Sequence, residues 1–259
     1  MTTIESRQNG TLKHLARLAR DKKYRQNAGE MLCEGEKMLG EALSSGARVK
    51  TVLTREGAAV DAALLRRAEQ AGAALFCAPA ALFAQASDVE TPQPVLFACA
   101  PRTFGAETLT GARRVLVLDG LQDPGNLGTI LRTADAFATD AVVLTPGCVD
   151  PCAPKVVRAT MGAIFRLPVV RLPLADAIAR LHEQGLPVYA AALTDDALPV
   201  DRVPLTESAV IIGNEGRGVS EEALALSDRR VILPMQGCAE SLNAGVAASI
   251  FLWEMSKRS

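Results

Sequence analysis

Apolar and polar positions recur along this chain with two different periods, and the changes of period mark out its elements. Between residues 11 and 23, Leu12, Leu15, Leu18 and Ala19 recur at helical spacing while Lys13, Arg17 and Arg20 fall on another face. This predicts one amphipathic helix with a basic stripe. Short apolar runs then alternate with helix-like stretches, giving strands at 30–33, 49–54, 74–78 and 95–100 and helices at 36–44, 61–71 and 79–86. Such alternation predicts a small α/β domain. The periodicity stops between Pro101 and Gly111 and restarts at Val115. The chain therefore divides into a first domain over 1–103, a linker over 104–112 and a second domain over 113–259.

The second domain opens with a continuous aliphatic run at 115–118, the mark of a strand buried on both faces. A loop rich in glycine and proline follows, then a helix on which Leu127, Ile130, Leu131, Ala134 and Phe137 share a face. Further strands are expected at 141–145, 165–170, 187–193, 209–212 and 231–233, with helices at 153–161 and 174–184 and an Ala-rich helix running to Lys257. The pattern predicts an α/β domain with a largely parallel sheet.

Composition narrows the chemistry. Of 259 residues, 49% are hydrophobic and only 4% aromatic, which suits α/β layers packed with small aliphatic side chains. The longest apolar stretch, 244–253, is broken by Gly245 and Ser249 and is far shorter than the ~20 residues of a bilayer-spanning helix. No apolar leader opens the chain, so a reducing, cytoplasmic setting is expected for its cysteines. All six, Cys33, Cys77, Cys99, Cys148, Cys152 and Cys238, are read as buried apolar fillers and not as a metal site. The two histidines, His14 and His182, accompany no G-x-S-x-G signature, which disfavours hydrolase triads and zinc centres. The net charge is −1, yet within residues 1–25 Arg7, Lys13, Arg17, Arg20, Lys22, Lys23 and Arg25 face only Glu5 and Asp21. That cluster fits a phosphate-contacting surface, with Lys13, Arg17, Arg20, Lys22 and Lys23 as RNA-binding candidates; an ordinary solvated helix face and an import presequence are the alternatives.

Three loops carry the chemistry. The first, Asn126 to Arg132, reads N-L-G-x-x-x-R after the opening strand. The second, Gly213 to Gly218, reads G-N-E-G-x-G and lets backbone approach a ligand closely. The third, Pro234 to Asn243, reads P-M-x-x-x-x-E-S-L-N and leads into the last helix, where Ser241 could serve simply as a helix cap. Neither the phosphate-loop pattern nor the dinucleotide G-x-G-x-x-G is present in the first strand-to-helix turn.

In order and spacing the three motifs resemble those of the SpoU family of RNA 2′-O-methyltransferases, part of the SPOUT superfamily, over essentially all of residues 113–259. Residues 1–100, above all 12–35, are similar to the ribosomal-protein-like substrate-binding domain that precedes the catalytic domain in some members. The resemblance implies a C-terminal trefoil knot, S-adenosylmethionine as cofactor and a homodimer in which first-motif residues complete the partner's site. It further implies that Gly213, Asn214, Gly218, Leu233, Met235 and Leu242 hold the cofactor, while Asn126, Arg132, Glu215, Ser241 and Asn243 serve catalysis. Neither a metal nor a membrane is implied. The expected partner is RNA, ribosomal ahead of transfer RNA. Two other readings stand beside this one: a non-catalytic RNA-binding protein on a methyltransferase scaffold, and a doubly wound nucleotide-dependent enzyme acting on a small molecule.

Overall fold

The computed structural model describes residues 1–238 and 240–257. The chain packs as two compact units, one formed by Met1–Arg102 with Asp150–Phe165, the other by Thr103–Val149 with Arg166–Ser259.

The first unit begins with β1 (Thr2–Thr3), α1 (Gly10–Arg20), α2 (Lys22–Ala28), β2 (Met31–Glu34), α3 (Glu36–Ser44) and β3 (Val49–Arg55). It continues with α4 (Ala62–Gln70), β4 (Ala74–Ala78), α5 (Ala80–Phe83) and β5 (Val95–Cys99). The sheet order is β1-β4-β3-β5-β2, with β5 antiparallel to both β3 and β2. Leu12, Leu15 and Leu18 of α1 are buried in one core cluster with Phe83 and Leu96.

The single helix expected over 11–23 is two helices. Asp21 sits at φ −115° and ψ 107°, ending α1 and capping α2 by accepting from the Tyr24 backbone N–H at 3.0 Å. An aspartate competes for backbone hydrogen bonds in this way, which the apolar periodicity does not register.

In the second unit, β6 (Arg114–Leu118) is followed by α6 (Pro124–Ala136) and β7 (Ala141–Leu144). The next segment, Asp150–Phe165 with α7 (Pro154–Thr160), belongs to the first unit. There Arg25, only 6% exposed, donates from Nε and Nη2 to Asp150 at 3.1 and 2.9 Å and from Nη1 to the Leu18 carbonyl at 2.8 Å. Arg25 is thus an internal strut and not part of a basic surface. The second unit resumes with β8 (Val169–Arg171), α8 (Leu174–Glu183), β9 (Val188–Ala191), β10 (Leu198–Pro199) and β11 (Ser208–Ile212), then α9 (Glu221–Leu226), β12 (Arg229–Ile232) and α10 (Ala244–Ser256). The strand expected over 165–170 starts late: Ala163–Phe165 is a 3₁₀ turn following Gly162 at φ +98°, and Pro168 has no N–H to give a ladder.

The second sheet runs β10-β12-β9-β11-β6-β7-β8, and every strand pairing in it is parallel. Val115, Leu116, Val117 and Leu118 are fully buried, as are Ala209, Val210 and Ile211 beside them, which accounts for their unbroken aliphatic runs. Successive strands step outward from β6 through β7 to β8, whereas β11 and β9 lie on the other side of β6. The sheet therefore has its switch point between β6 and β11, and in parallel α/β sheets the crevice beyond the strands' carboxyl ends at such a point is where ligands bind.

Candidate active site

All three motif loops leave the carboxyl ends of these strands. After β6, Asp123 caps α6 by accepting from the Asn126 N–H at 2.7 Å, with Pro124 in the first turn where its missing N–H costs nothing. After β11, Asn214 and Gly218 pair backbone to backbone at 2.9 Å in both directions, and the Asn214 Oδ1 accepts from Gly216 and Arg217 N–H. This fold brings Gly213 so close to Gly218 that a Cβ on Gly213 would lie 2.1 Å from the Gly218 carbonyl carbon. After β12, residues 234–243 run to Asn243, whose Oδ1 caps α10 by accepting from Gly245 and Val246 N–H at 2.9 and 3.2 Å. The cap is Asn243; Ser241, which could have filled that place, lies against the cavity described below. Ala239 of this loop falls outside the described residues.

A single hydrogen-bond chain joins the three loops. Glu215 accepts from the Gln122 and Asp123 backbone N–H groups at 3.0 and 2.8 Å and from Asn126 Nδ2 at 3.0 Å. Asn243 Nδ2 in turn donates to Asn126 Oδ1 at 3.0 Å. Asn214 Nδ2 adds a fifth tie, to the Gly120 carbonyl at 2.8 Å. Partial burial works to raise the Glu215 pKa, but the bonds from Gln122, Asn126 and Asp123 outweigh it and hold the carboxyl below its usual range.

Beside this chain opens a cavity of about 470 Å³, within the ~300–1,000 Å³ range of small-molecule sites. Gly213, Asn214, Gly218, Leu233, Met235 and Leu242 all line it, together with Glu215 and Ser241. Asn126, Arg132 and Asn243 stand outside its lining. Arg132, on α6, is exposed and makes no hydrogen bond or ion pair among the described residues. The end of β9, from Ala191 to Thr194, and Phe251 of α10 also form its wall. The motifs do not mark these positions, although the parallel-sheet rule points to the end of β9 as soon as its place beside β11 is known.

In the first unit, Lys13, Arg17, Arg20, Lys22 and Lys23 are all exposed. They are not equivalent: Arg20 donates to the Gln85 and Ser87 carbonyls at 3.2 Å each, and Arg17 lies over the Tyr24 ring. Of the cysteines, Cys33, Cys99 and Cys148 are buried and Cys77 and Cys152 partly so, whereas Cys238 is exposed, contrary to its reading as a filler, because it sits in the loop before α10. Among the described residues no group of three or more histidine, cysteine or acidic side chains could hold a metal ion, and no helix is long and apolar enough to cross a membrane.

Fold and site together define a parallel α/β domain with a glycine-lined cavity at the carboxyl ends of β9, β11 and β12, on a chain that also carries a separate mixed-sheet unit. The sequence profile of the SpoU rRNA Methylase family matches residues 113–253, and that of the MRM3-like substrate binding domain matches residues 9–97. The chain is 38% identical over 256 residues to 23S rRNA (guanosine(2553)-2′-O)-methyltransferase RlmP of Bacillus subtilis (strain 168), covering 98% of this chain and 99% of that protein. Its structure is similar to that of the AdoMet-bound rRNA methyltransferase from Sinorhizobium meliloti, with 27% identity, a TM-score of 0.89 and 98% and 97% of the two chains covered. It is likewise similar to the SpoU methyltransferase AviRb from Streptomyces viridochromogenes in complex with AdoMet, with 26% identity, a TM-score of 0.85 and coverage of 96% and 97%. The chain belongs to the SpoU rRNA methylase family.

Proposed function

We propose that this protein transfers the methyl group of S-adenosylmethionine to a ribose 2′-hydroxyl of ribosomal RNA. The observation that carries the reading is a cavity lined by the second and third motif loops, to which the first loop is tied through Glu215, Asn126 and Asn243. The cavity fits the cofactor in two respects. Its floor is backbone, brought close by a glycine that has no room for a side chain, and its walls carry Leu233, Leu242 and Phe251, an apolar surround suited to a purine ring. Gly213, Asn214, Gly218, Leu233, Met235 and Leu242 would hold it. When bound, S-adenosylmethionine supplies a methyl group already activated by the sulfonium charge.

The chain's own task is then to align a ribose oxygen and manage its proton and developing charge. Asn126, fixed at both ends of its amide, presents a rigid contact to the ribose. Ser241 holds neighbouring groups at the cavity wall. Arg132, with its guanidinium unengaged, clamps an RNA phosphate and stabilises negative charge on the 2′-oxygen; a group with a pKa above ~12 is a poor base near neutrality.

Two structural parts of the reading go with it. The trefoil knot is supported by the path of the C-terminal segment, which leaves β12 outside β9 and returns to pack α10 on α6 and β11. A homodimer through this domain is supported by α10, which buries Phe251, Leu252 and Met255 yet leaves Val246 and Trp253 49% and 53% exposed.

Incubation with labelled S-adenosylmethionine and total RNA from cells lacking the enzyme, followed by mapping of 2′-O-methylated nucleotides, tests the whole. Label on one ribosomal RNA ribose is expected. Label on transfer RNA would overturn the substrate, and cofactor binding with no label in any RNA would leave a binding protein instead of an enzyme.

A further inference from the structure

At the junction of α1 and α2, five side chains between residues 14 and 50 form one polar assembly. The Arg17 guanidinium lies over the Tyr24 ring, 3.8 Å from its centroid. His14 meets the same ring edge-on, with centroids 5.6 Å apart, and its Nδ1 is 2.8 Å from the Tyr24 hydroxyl. The other ring nitrogen of His14 lies 3.0 Å from Glu30 Oε2, while Lys50 Nζ donates to Glu30 Oε1 at 2.8 Å. The Glu30 side chain is only 11% exposed. Burial works to raise its pKa, but the bonds from Lys50 and His14 prevail and keep it below the usual carboxylate range. The break at Asp21 is what allows Tyr24, on the second helix, to meet side chains of the first.

A stripe of charge that only attracts phosphates needs none of this. Burying a carboxylate is costly unless it is paired, and here the pairing fixes a tyrosine over whose ring an arginine lies. A guanidinium set against a ring on one side can offer its other side to a second π system. Arg17 is exposed, as are Lys13 one turn earlier on α1 and Lys23 on α2. Splayed bases of single-stranded RNA are recognised by stacking on aromatic and arginine planes, with cations on the neighbouring phosphates.

We propose that Arg17 and Tyr24, braced by His14 and Glu30, form a stacking platform for an unpaired nucleobase of the RNA substrate, with Lys13 and Lys23 serving the flanking phosphates. This rests on the proposed function in taking RNA as the partner. Bases in a duplex are already stacked on one another, so the platform selects single-stranded segments.

The test uses the full-length protein and a ten-nucleotide single-stranded RNA carrying 2-aminopurine at its centre, alongside the same strand in duplex form. Wild-type protein is expected to quench the single strand's fluorescence and to bind it more tightly than the duplex. Arg17→Met and Tyr24→Leu should each abolish the quench and weaken binding roughly 5- to 150-fold, the equivalent of ~1–3 kcal/mol per stacked base. Tyr24→Phe keeps the ring and should keep the quench, which separates loss of stacking from loss of folding. Lys13→Ala should retain the quench while lowering the salt dependence of binding by about one ion. Quench and affinity preserved in a folded Arg17→Met protein, or equal binding of single strand and duplex by wild type, would overturn the platform. Methyl transfer to ribosomal RNA is measured on the same preparations. Wild-type transfer without quenching removes the platform alone, whereas absence of transfer removes the proposed function and leaves the quench to decide the platform.

Discussion

Glu215 is an acceptor surrounded by donors. Its two oxygens take two backbone N–H groups and one side-chain amide, and replacing one oxygen by NH₂ turns at least one of those contacts into donor against donor. Glu215→Gln is therefore expected to lower kcat by about tenfold or more, taking ~1.5 kcal/mol as the low end for a bond to a charged group, with a smaller effect on cofactor affinity. The sign of its pH dependence follows from the direction of the shift. Because the folded pKa is depressed, the loop tie is complete above about pH 4.3, the ordinary glutamate value, and is lost as pH falls through the lower folded value. The acid limb of the transfer rate should disappear from the Glu215→Gln profile. Arg132 offers the opposite case, a side chain with no structural duty. Arg132→Ala should leave the melting temperature and cofactor affinity nearly unchanged while cutting transfer about 100-fold, the usual scale for one charge-stabilising donor. Near-wild-type turnover in Arg132→Lys, with an unaltered pH profile, would exclude a bidentate clamp.

Among the elements, caps and breaks matter more than propensities. Asn243 both caps α10 and holds the Asn126 amide, so Asn243→Ala should cost about 1 kcal/mol of stability by denaturant titration and, beyond that, free Asn126 to rotate. Apolar period alone located most of the helices and every strand of four or more residues, because burial on one or both faces leaves that trace. It missed β1, β10 and α9, which are too short to show a period. It also ran through Asp21, since a side chain that captures a backbone N–H leaves no gap in the apolar spacing. At the site, the glycines and polar residues of the motifs were legible, as were the cavity-lining Gly213, Leu233 and Leu242. The wall formed by the end of β9 was not, because it depends on which strands become neighbours, and nothing local in 191–194 carries that information. Nor could charge counting separate Arg25 from its neighbours, since its partner is far away along the chain.

At the scale of the molecule, the compact units do not follow the order of the chain. Asp150–Phe165 lies within the stretch matched by the methylase profile, yet it packs with the first hundred residues. Asp150 takes two bonds from the buried Arg25, and Arg158 of α7 donates from Nη1 and Nη2 to the two Asp88 oxygens at 2.6 and 3.1 Å. Asp150→Ala would leave the Arg25 guanidinium buried without its carboxylate, so a loss of ~3–5 kcal/mol is expected in urea unfolding. Replacing both partners, Arg25→Met with Asp150→Leu, should recover most of it. Trp253→Glu bears on the proposed dimer and should shift sedimentation towards monomer while leaving the fold intact.

The Arg25 strut also bears on how the protein is made. On a ribosome the first hundred residues are synthesised well before Asp150, by about fifty residues, or some 3–10 s at ~5–20 residues per second. Throughout that interval Arg25 lacks the Asp150 carboxylate, and the nascent first unit lacks the segment Asp150–Phe165 that packs with it. Completion of its packing is thereby tied to synthesis of the chain beyond residue 149. A message truncated before codon 150 should yield a nascent chain that is degraded, not a free RNA-binding fragment that would compete for the substrate.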